Sequence, residues 1–564
     1  MFEENVKAVV SQGNLEIIMP WEARHAREFV RNQLRGRRWD SQRKLWVVPL
    51  SVANIKALIP ELAPELRQEL EQRLREAATR HADSLQQSSA TDAELNIPSL
   101  RGALLPFQRA GVRFALLHRG VLLADDQGLG KTVQSLASVE RLSLYPTGVY
   151  CPAVVKLNWK AEIGKWLPHR KVSVLGVGKR AAGVFPAEAD FIVLNYDIAA
   201  KHQDLLLDLG LRAVIADESH YLKNRKAART RAVSLVVEES KRLEKVLFMS
   251  GTPVLNRPAE LAEQLRMLGI LDTEFGGFRS FAFRYCAAYS DRFGLHVDGA
   301  SHLDELHRRL RETCMIRRLK RDVLSELPDK TIVRVPVTIT NRPVYKKADD
   351  EFSKWLQDKL SADEEFLKSI EHLSPPARRL AMTKRVEKTL RAEVLAKRGA
   401  LRKLAGLGKV ADALAWIQEF HESSGDEKLL VFAHHIEVQE ALRQEFPDSL
   451  HILASDSSEQ RQAAVAGFQT DPSKWLMVLS TPAAQTGLTL HAASNELFVE
   501  YEDTIGAHAQ AEDRAHRIGQ KSAVTVYRLH VEGSIDDDME AALAHKQGVF
   551  DATLNGLPAK AAAG

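Results

Sequence analysis

The run Leu-Ala-Asp-Asp-Gln-Gly-Leu-Gly-Lys-Thr, from Leu123 to Thr132, places two glycines, a lysine and a threonine between an apolar strand and a helical pattern. Gly128 and Gly130 let the backbone turn its N–H groups inward around phosphate oxygens, and the helix that follows adds the positive end of its dipole. Asp126 and Leu129 belong to the same cradle. Lys131 would reach the β- and γ-phosphates, and the Thr132 hydroxyl would ligate Mg²⁺. Asp125 stands where the general pattern has glycine, so the loop is a variant. About 380 residues further on, Gln510, Arg514 and Arg517 recur at i, i+4 and i+7. That spacing predicts one face of a helix ended by Gly519, with Asp513 beside it. Two guanidinium groups on one face suit phosphate charge supplied from a second domain. A basic face turned to DNA or solvent is the other reading.

Asp217-Glu218-Ser219-His220 follows the apolar run Ala213–Ala216. This delivers two carboxylates to the C-terminal end of a parallel strand, where ligands bind in open α/β sheets. Asp217 is placed to hold Mg²⁺ through its water shell, and Glu218 to orient and polarise an attacking water; the alternative is a solvated acidic turn. Ser250-Gly-Thr-Pro253 ends another apolar strand, where hydroxyls at a sharp turn can relay the state of a γ-phosphate. Gln108, just inside a helix opened by Pro106, has the donor and acceptor needed to pair an adenine edge. The catalytic candidates are therefore Lys131, Asp217, Glu218, Gln510, Arg514 and Arg517, and the ligands of ATP and Mg²⁺ come from the loop, Gln108, Thr132 and Asp217.

Elements that position these groups follow from periodicity. Val121–Ala124, Gly148–Tyr150, Phe191–Leu194, Ala213–Ala216 and Val246–Met249 read as strands separated by helices, which implies a parallel sheet with crossovers. A long, basic, mostly helical stretch runs from about Ala259 to Gly408. The α/β alternation then returns at Lys428–Ala433, Leu450–Leu453, Leu476–Leu479, Glu496–Tyr501 and Thr525–His530. Ahead of all this, Leu15–Met19 and Lys44–Pro49 read as strands flanking a helix that carries Ala23, Ala26, Phe29 and Val30 on one face. Glu61–Ala82 reads as a charged helix and Asp83–Pro98 as a polar linker.

The 564 residues allow several domains. An apolar fraction of 45% and a charged fraction of 27% are those of ordinary globular proteins. No run is long and apolar enough to span a membrane, and the first residues lack the pattern of a secretion signal. Cys151, Cys286 and Cys314 are widely spaced, which suits a reducing compartment and excludes a CxxC zinc module. The net charge of +4 says little, but its distribution says more. Arg24, Arg27, Arg31, Arg35, Arg37, Arg38, Arg43 and Lys44 face only Glu28 and Asp40. Between Pro375 and Lys409, Arg378, Arg379, Lys384, Arg385, Arg391, Lys397, Arg398, Arg402 and Lys403 outnumber Glu387 and Glu393. Such stripes neutralise nucleic-acid phosphates, or are simply solvated helix faces.

Read in order, these motifs resemble the SWI/SNF-type ATPases of helicase superfamily 2. The match runs through Gln108, Gly128–Thr132, Cys151-Pro152 with Trp159 and Glu162, Asp217–His220, and Ser250–Pro253 with Asn256 and Pro258. It continues through Met315 to Leu324 and on to Leu327-Pro328 and Lys330, a hallmark of this family, then Val431-Phe432, Ser480-Thr481 with Gly487-Leu488, and Gln510 to Gln520. It covers roughly residues 99–556. Leu15 to Pro20 with Arg38 to Leu50 is similar to the HARP domain of annealing helicases, where Trp39 and Trp46 would either stack on unpaired bases or fill a small core. Ala454–Ser458 and Asp503–Gly506 depart from the family pattern.

The resemblance implies an α/β fold of two RecA-like parallel-sheet lobes with helical protrusions and a small N-terminal α+β domain. The expected divisions are 1–60 (HARP-like), 61–98 (helix and linker), 99–270 (lobe 1), 271–408 (protrusions and inter-lobe linker), 409–556 (lobe 2) and 557–564 (tail). Gly487 is implied as a nucleotide contact, and Arg514 and Arg517 as arginine fingers. The implied activity is ATP hydrolysis stimulated by DNA, with translocation on double-stranded DNA and remodelling or reannealing of branched DNA. Displacement of a protein such as RNA polymerase from DNA, or a non-catalytic DNA-binding scaffold, are the rivals. Expected partners are double-stranded and branched DNA and replication, repair or transcription proteins, with no membrane and a monomeric state. A bacterial or viral source is favoured, hence cytoplasm or nucleoid, or the nucleus if the source is eukaryotic.

Overall fold

The computed structural model describes residues 2–3, 5–11, 14–177, 183–254, 256–292, 294–324, 326–481, 490–502, 505–517 and 519–557. The N-terminal segment is a four-stranded antiparallel sheet of β1 (Lys7–Ser11), β2 (Asn14–Ile18), β3 (Arg38–Asp40) and β4 (Leu45–Pro49), in the order β1-β2-β4-β3. Alternation puts Leu15, Ile17 and Val48 on a buried face, which takes Val30 and Leu34 from the α1 region (α1 is Arg24–Gln33) and Leu70 from α2 (Pro64–Ser88). Two of the strands were legible beforehand; β1 and β3 were not. Trp39 and Trp46 face each other across the register with ring centroids 5.3 Å apart, edge to face. Trp46 packs against the core, while Trp39 stays 47% exposed.

The predicted linker is helical as far as Ser88. The Ser84 hydroxyl donates to the Arg311 carbonyl at 2.9 Å, and Arg311 Nε donates to the Ser88 hydroxyl at 3.0 Å. These tertiary contacts outweigh the weak helical propensity of serine.

Contacts between Cα positions divide the chain into two units. The first comprises Met1–Asp126, Gly130–Leu319 and Val549–Pro558, and the second includes Gln127–Leu129 and Lys320–Gly548. In the first, β5 (Gly120–Leu123), β6 (Thr147–Cys151), β7 (Val172–Val174), β8 (Phe191–Asn195), β9 (Ala213–Asp217) and β10 (Lys245–Met249) form a parallel sheet, joined at its edge by a two-residue strand considered below. Strands buried on both faces read as continuous apolar runs, which is why all of these except β7 stood out in the sequence. α3 (Pro106–Leu117), α4 (Lys131–Leu142) and α5 (Lys156–Trp166) pack their apolar residues against it.

Among the described residues, the region read as helical and basic holds four strands that the sequence did not suggest. β11 (Tyr289–Asp291) and β12 (Gly294–His296) form a hairpin. β13 (Met315–Ile316), which follows α6 (Leu303–Thr313), pairs with β5 in the first unit. β14 (Lys330–Pro336) is an edge strand of the second sheet. That sheet adds β15 (Leu429–Ala433), β16 (Leu450–Ile452), β17 (Leu476–Ser480), β18 (Asn495–Phe498) and β19 (Val524–His530), all parallel, in the order β14-β19-β18-β15-β17-β16. Both units are thus α/β lobes built on parallel sheets. α7 (Arg342–Leu360) packs on α8 (Pro375–Ser424), whose helical geometry breaks at Leu390 (φ −123°, ψ 44°).

Much of the basic stripe on α8 is committed internally. Arg379 bridges Asp349 and Asp538, each at 2.6 Å, and Arg402 donates to the Tyr501 carbonyl at 2.9 Å. The fully buried Lys409 pairs with Asp536 at 2.7 Å. These cations staple the second unit together, an outcome that neither the phosphate nor the solvent reading anticipated.

Candidate nucleotide-binding site

Three adjacent strands of the first sheet, β5, β10 and β9, bring the predicted groups to one edge. β5 runs into the glycine-rich loop. Gly128 (φ 80°) and Gly130 (φ 74°) hold left-handed backbone there, and Gly130 caps α4. A Cβ on Gly130 would be strained by this left-handed backbone and would also lie 2.4 Å from the Gln108 side-chain end, which would have to shift. Gln108 is buried, and its Oε1 accepts from the Leu105 backbone at 3.0 Å. The Lys131 ammonium donates to the carbonyls of Asp125 (2.8 Å) and Asp126 (3.1 Å). Burial pushes its pKa down, with Glu218, Asp125, Asp126 and Asp217 opposing. The loop tip, Gln127–Leu129, groups with the second unit. Thr132 is half-buried in the first turn of α4.

β9 ends on Asp217. Its Oδ2 accepts the indole N–H of Trp159 at 2.9 Å, and its carbonyl accepts the Tyr196 hydroxyl at 2.6 Å. Burial, then the neighbouring Glu218 charge, push its pKa up. Glu218 takes left-handed backbone (φ 51°), uncommon outside glycine. Its Oε2 accepts from the Ser250 hydroxyl at 3.1 Å and lies 3.3 Å from His220 Nδ1, which is itself 3.1 Å from Ser250 Oγ. Burial alone would raise Glu218; His220, Lys131 and Ser250 outweigh it and hold the carboxyl low. The turn after β10 is thereby bonded directly to the Glu218 carboxylate.

Two arginines the motif reading gave no role, Arg317 and Arg318, fix the loop's first residues. The Arg318 guanidinium donates to Asp125 Oδ1 at 2.9 Å and to Gln134 at 2.9 Å, and its other terminal nitrogen bonds the Phe107 carbonyl. Gln134 in turn donates to Asp125 at 3.1 Å. Asp125 therefore replaces the pattern's glycine as the anion of a buried, fully bonded network, the condition under which a charge is tolerated inside. Arg317 holds Asp126 Oδ1 at 2.9 Å. The only sequence signal for this pair was its place in the hallmark segment.

Against known proteins, a model described as the SNF2-related domain matches residues 32–403, well over half of the chain. The chain belongs to the SNF2-related family. A helicase conserved C-terminal domain matches residues 411–519. The chain is 33% identical over 502 residues to a mouse protein named DNA annealing helicase and endonuclease ZRANB3, covering 86% of this chain and 44% of that protein. It is 35% identical over 474 residues to a Caenorhabditis elegans homolog of SWI/SNF-related matrix-associated actin-dependent regulator of chromatin subfamily A-like protein 1, covering 82% and 64%. The solved Sulfolobus solfataricus SWI2/SNF2 ATPase core in complex with dsDNA aligns with 82% of this chain and 96% of its own at 21% identity and a TM-score of 0.38. The chain spans less than half the length of the mouse relative. These curated relatives are animal proteins and lend a bacterial or viral source no support.

In this SNF2-related chain the arginine segment differs from its expected form. α9 (Ile505–Glu512) contains Gln510, but Arg514 and Arg517 lie beyond it in turns, not on one helical face. The Ala515 N–H, which a continuing helix would give to Ala511, goes instead to the buried Glu496 carboxylate at 3.3 Å. The segment is held by charge: Lys320 pairs with Asp513 at 2.9 Å, Lys330 with Glu512 at 2.9 Å, and Arg528 also with Glu512. Arg514 is buried and Arg517 half-buried. Gly487, along with Leu488, lies outside the described residues. At Ala454–Ser458 the missing glycine is replaced by polar caps: Asp456 accepts from the Leu453 N–H at 2.6 Å, and Ser457 forms a capping box with Gln460.

Proposed function

We propose that this chain is a DNA-stimulated ATPase of the SNF2 type that moves along double-stranded DNA and remodels or reanneals branched DNA. The observation that carries this reading is the convergence, at the ends of β5, β9 and β10, of a glycine-capped helix start, Lys131, two inequivalent carboxylates and the Ser250 turn. The annealing-helicase name of the mouse relative supports the choice of DNA substrate.

Mg²⁺ with ATP supplies the phosphoanhydride and the cation that neutralises it. Backbone N–H groups at Gly130 and the start of α4 are suited to the phosphates. Lys131 exchanges its two loop carbonyls for phosphate oxygens. Thr132 and Asp217 hold the cation side, with Trp159 orienting Asp217. Glu218, kept ionised and aimed by Ser250 and His220, orients and polarises the attacking water. Asp126, Gly128, Leu129 and Gln108 shape the remainder of the pocket. Gln510, Arg514 and Arg517 keep the catalytic roles that the resemblance gives them, and Gly487 its nucleotide contact. Replication, repair and transcription proteins are the partner classes this reading implies.

Phosphate release with fork, linear duplex, single-stranded DNA and no DNA tests the reading. The wild type should be stimulated most by forks, and Lys131→Ala should lose nearly all turnover while retaining DNA binding. Normal hydrolysis by Lys131→Ala would overturn the site assignment. Equal stimulation by fork and linear duplex would favour displacement of bound protein over fork remodelling.

A further inference from the structure

Arg317 is 4% exposed, and its guanidinium reaches four separate partners. Its guanidinium donates to the carbonyls of Ala124 (2.5 Å) and Gly251 (3.1 Å) and to Asp126 Oδ1 (2.9 Å). One side chain thus ties the start of the phosphate loop to the turn that carries Ser250. The fourth partner is distant in sequence: Arg317 Nε donates to Asn555 Oδ1 at 2.5 Å. Asn555 closes a single π-helical turn, Asp551–Asn555, a rare form that concentrates at functional sites. Its amide is aimed by Asp551 Oδ1 at 2.6 Å, and the Phe550 ring lies 5.1 Å beneath the guanidinium. The turn is seated on α6, where His307 Nδ1 is 3.2 Å from the Thr553 carbonyl and Gly556 comes so close to the His307 ring that a Cβ would lie 2.9 Å from it.

We propose that Arg317 and Asn555 act as a pair of positioning residues for nucleotide binding: Asn555 fixes the guanidinium, and the guanidinium holds the loop at Ala124 and Asp126 in register with the Ser250–Thr252 turn. This rests on reading the loop as an ATP site. An amide suits position 555 better than a carboxylate. It accepts one hydrogen bond without drawing the cation away from Asp126.

The test measures fluorescent ADP affinity, KM and kcat for ATP, DNA affinity and Tm in the full chain. Asn555→Leu should weaken nucleotide binding and raise KM roughly threefold to tenfold, the loss of part of one charge-assisted hydrogen bond, with kcat and DNA affinity little changed. Arg317→Lys keeps the charge but not the fork geometry and should shift the same parameters in the same direction. Asn555→Asp keeps an acceptor but turns a second carboxylate toward Asp551, so it should fall short of wild-type affinity. Wild-type nucleotide affinity in both Asn555→Leu and Arg317→Lys overturns the proposal, and so does a lowered Tm with nucleotide affinity preserved. A wild-type protein with no ATPase activity would instead sink the underlying ATP reading.

Discussion

The two carboxylates at the end of β9 are adjacent in sequence but opposite in state. Asp217 is raised by burial and by Glu218, whereas Glu218 is held low by His220, Lys131 and Ser250. Paired groups driven apart in this way divide the work of a site. Asp217 must be ionised to serve a cation, so activity should fall as pH drops through its pKa. The Trp159 N–H opposes the rise most, ahead of the Lys131 charge and the Glu218 backbone N–H. Trp159→Phe should therefore move the acid limb of the ATPase profile upward by about one pH unit; an unmoved limb would show that the indole only packs. The two carboxylates were legible because four apolar residues lead straight into them. No spacing rule links Trp159, in helix α5, to Asp217 at the end of β9. Arg317 and Arg318 could not be read as loop supports at all, because no spacing rule links them to Asp125 and Asp126.

At the scale of elements, period and apolarity located the central strands and the edge strand β16, while the other edges and the boundaries escaped. β13 is two residues long, and β14 sits in a charged stretch where Arg334 interrupts the apolar pattern. The arginine segment shows the opposite failure: despite a faultless i, i+4, i+7 spacing the helix ends at Glu512, and the Ala515 N–H goes to the buried Glu496 side chain. The charges around that segment also make a statement about acid stability. Burial by itself would raise Glu512, but Lys330 and Arg528 outweigh it and hold the carboxyl at about 2. A carboxyl depressed on folding contributes stability that is complete above its ordinary range and lost as pH falls toward the lowered value. Tm should accordingly fall between about pH 4.5 and 2. Glu512→Gln should be less stable at neutral pH, by on the order of 3 kcal/mol for breaking a buried pair, and its Tm should decline less steeply with acid. Parallel curves for the two proteins would refute the assignment.

For the whole molecule, the order of motifs foretold two parallel-sheet lobes, and the sheets have that form. What motif order could not show is that the first unit is discontinuous: it takes in Val549–Pro558, so its packing against α6 draws on residues far along the chain. A fragment of residues 1–319 should be less stable than the same unit in the full chain. A synthetic peptide of residues 549–557 should raise the fragment's Tm with increasing concentration, as any ligand of the folded state does; a flat response would mean that the π turn is a passenger.

That discontinuity also has a consequence in time. A ribosome makes Arg317 long before Asn555, with all of Lys320–Gly548 emerging in between. At about 5–20 residues per second, the interval is on the order of tens of seconds. During it the nascent first unit carries its phosphate loop without the amide that fixes Arg317. A chain that stalls before residue 549 therefore leaves the Arg317–Asn555 contact unmade.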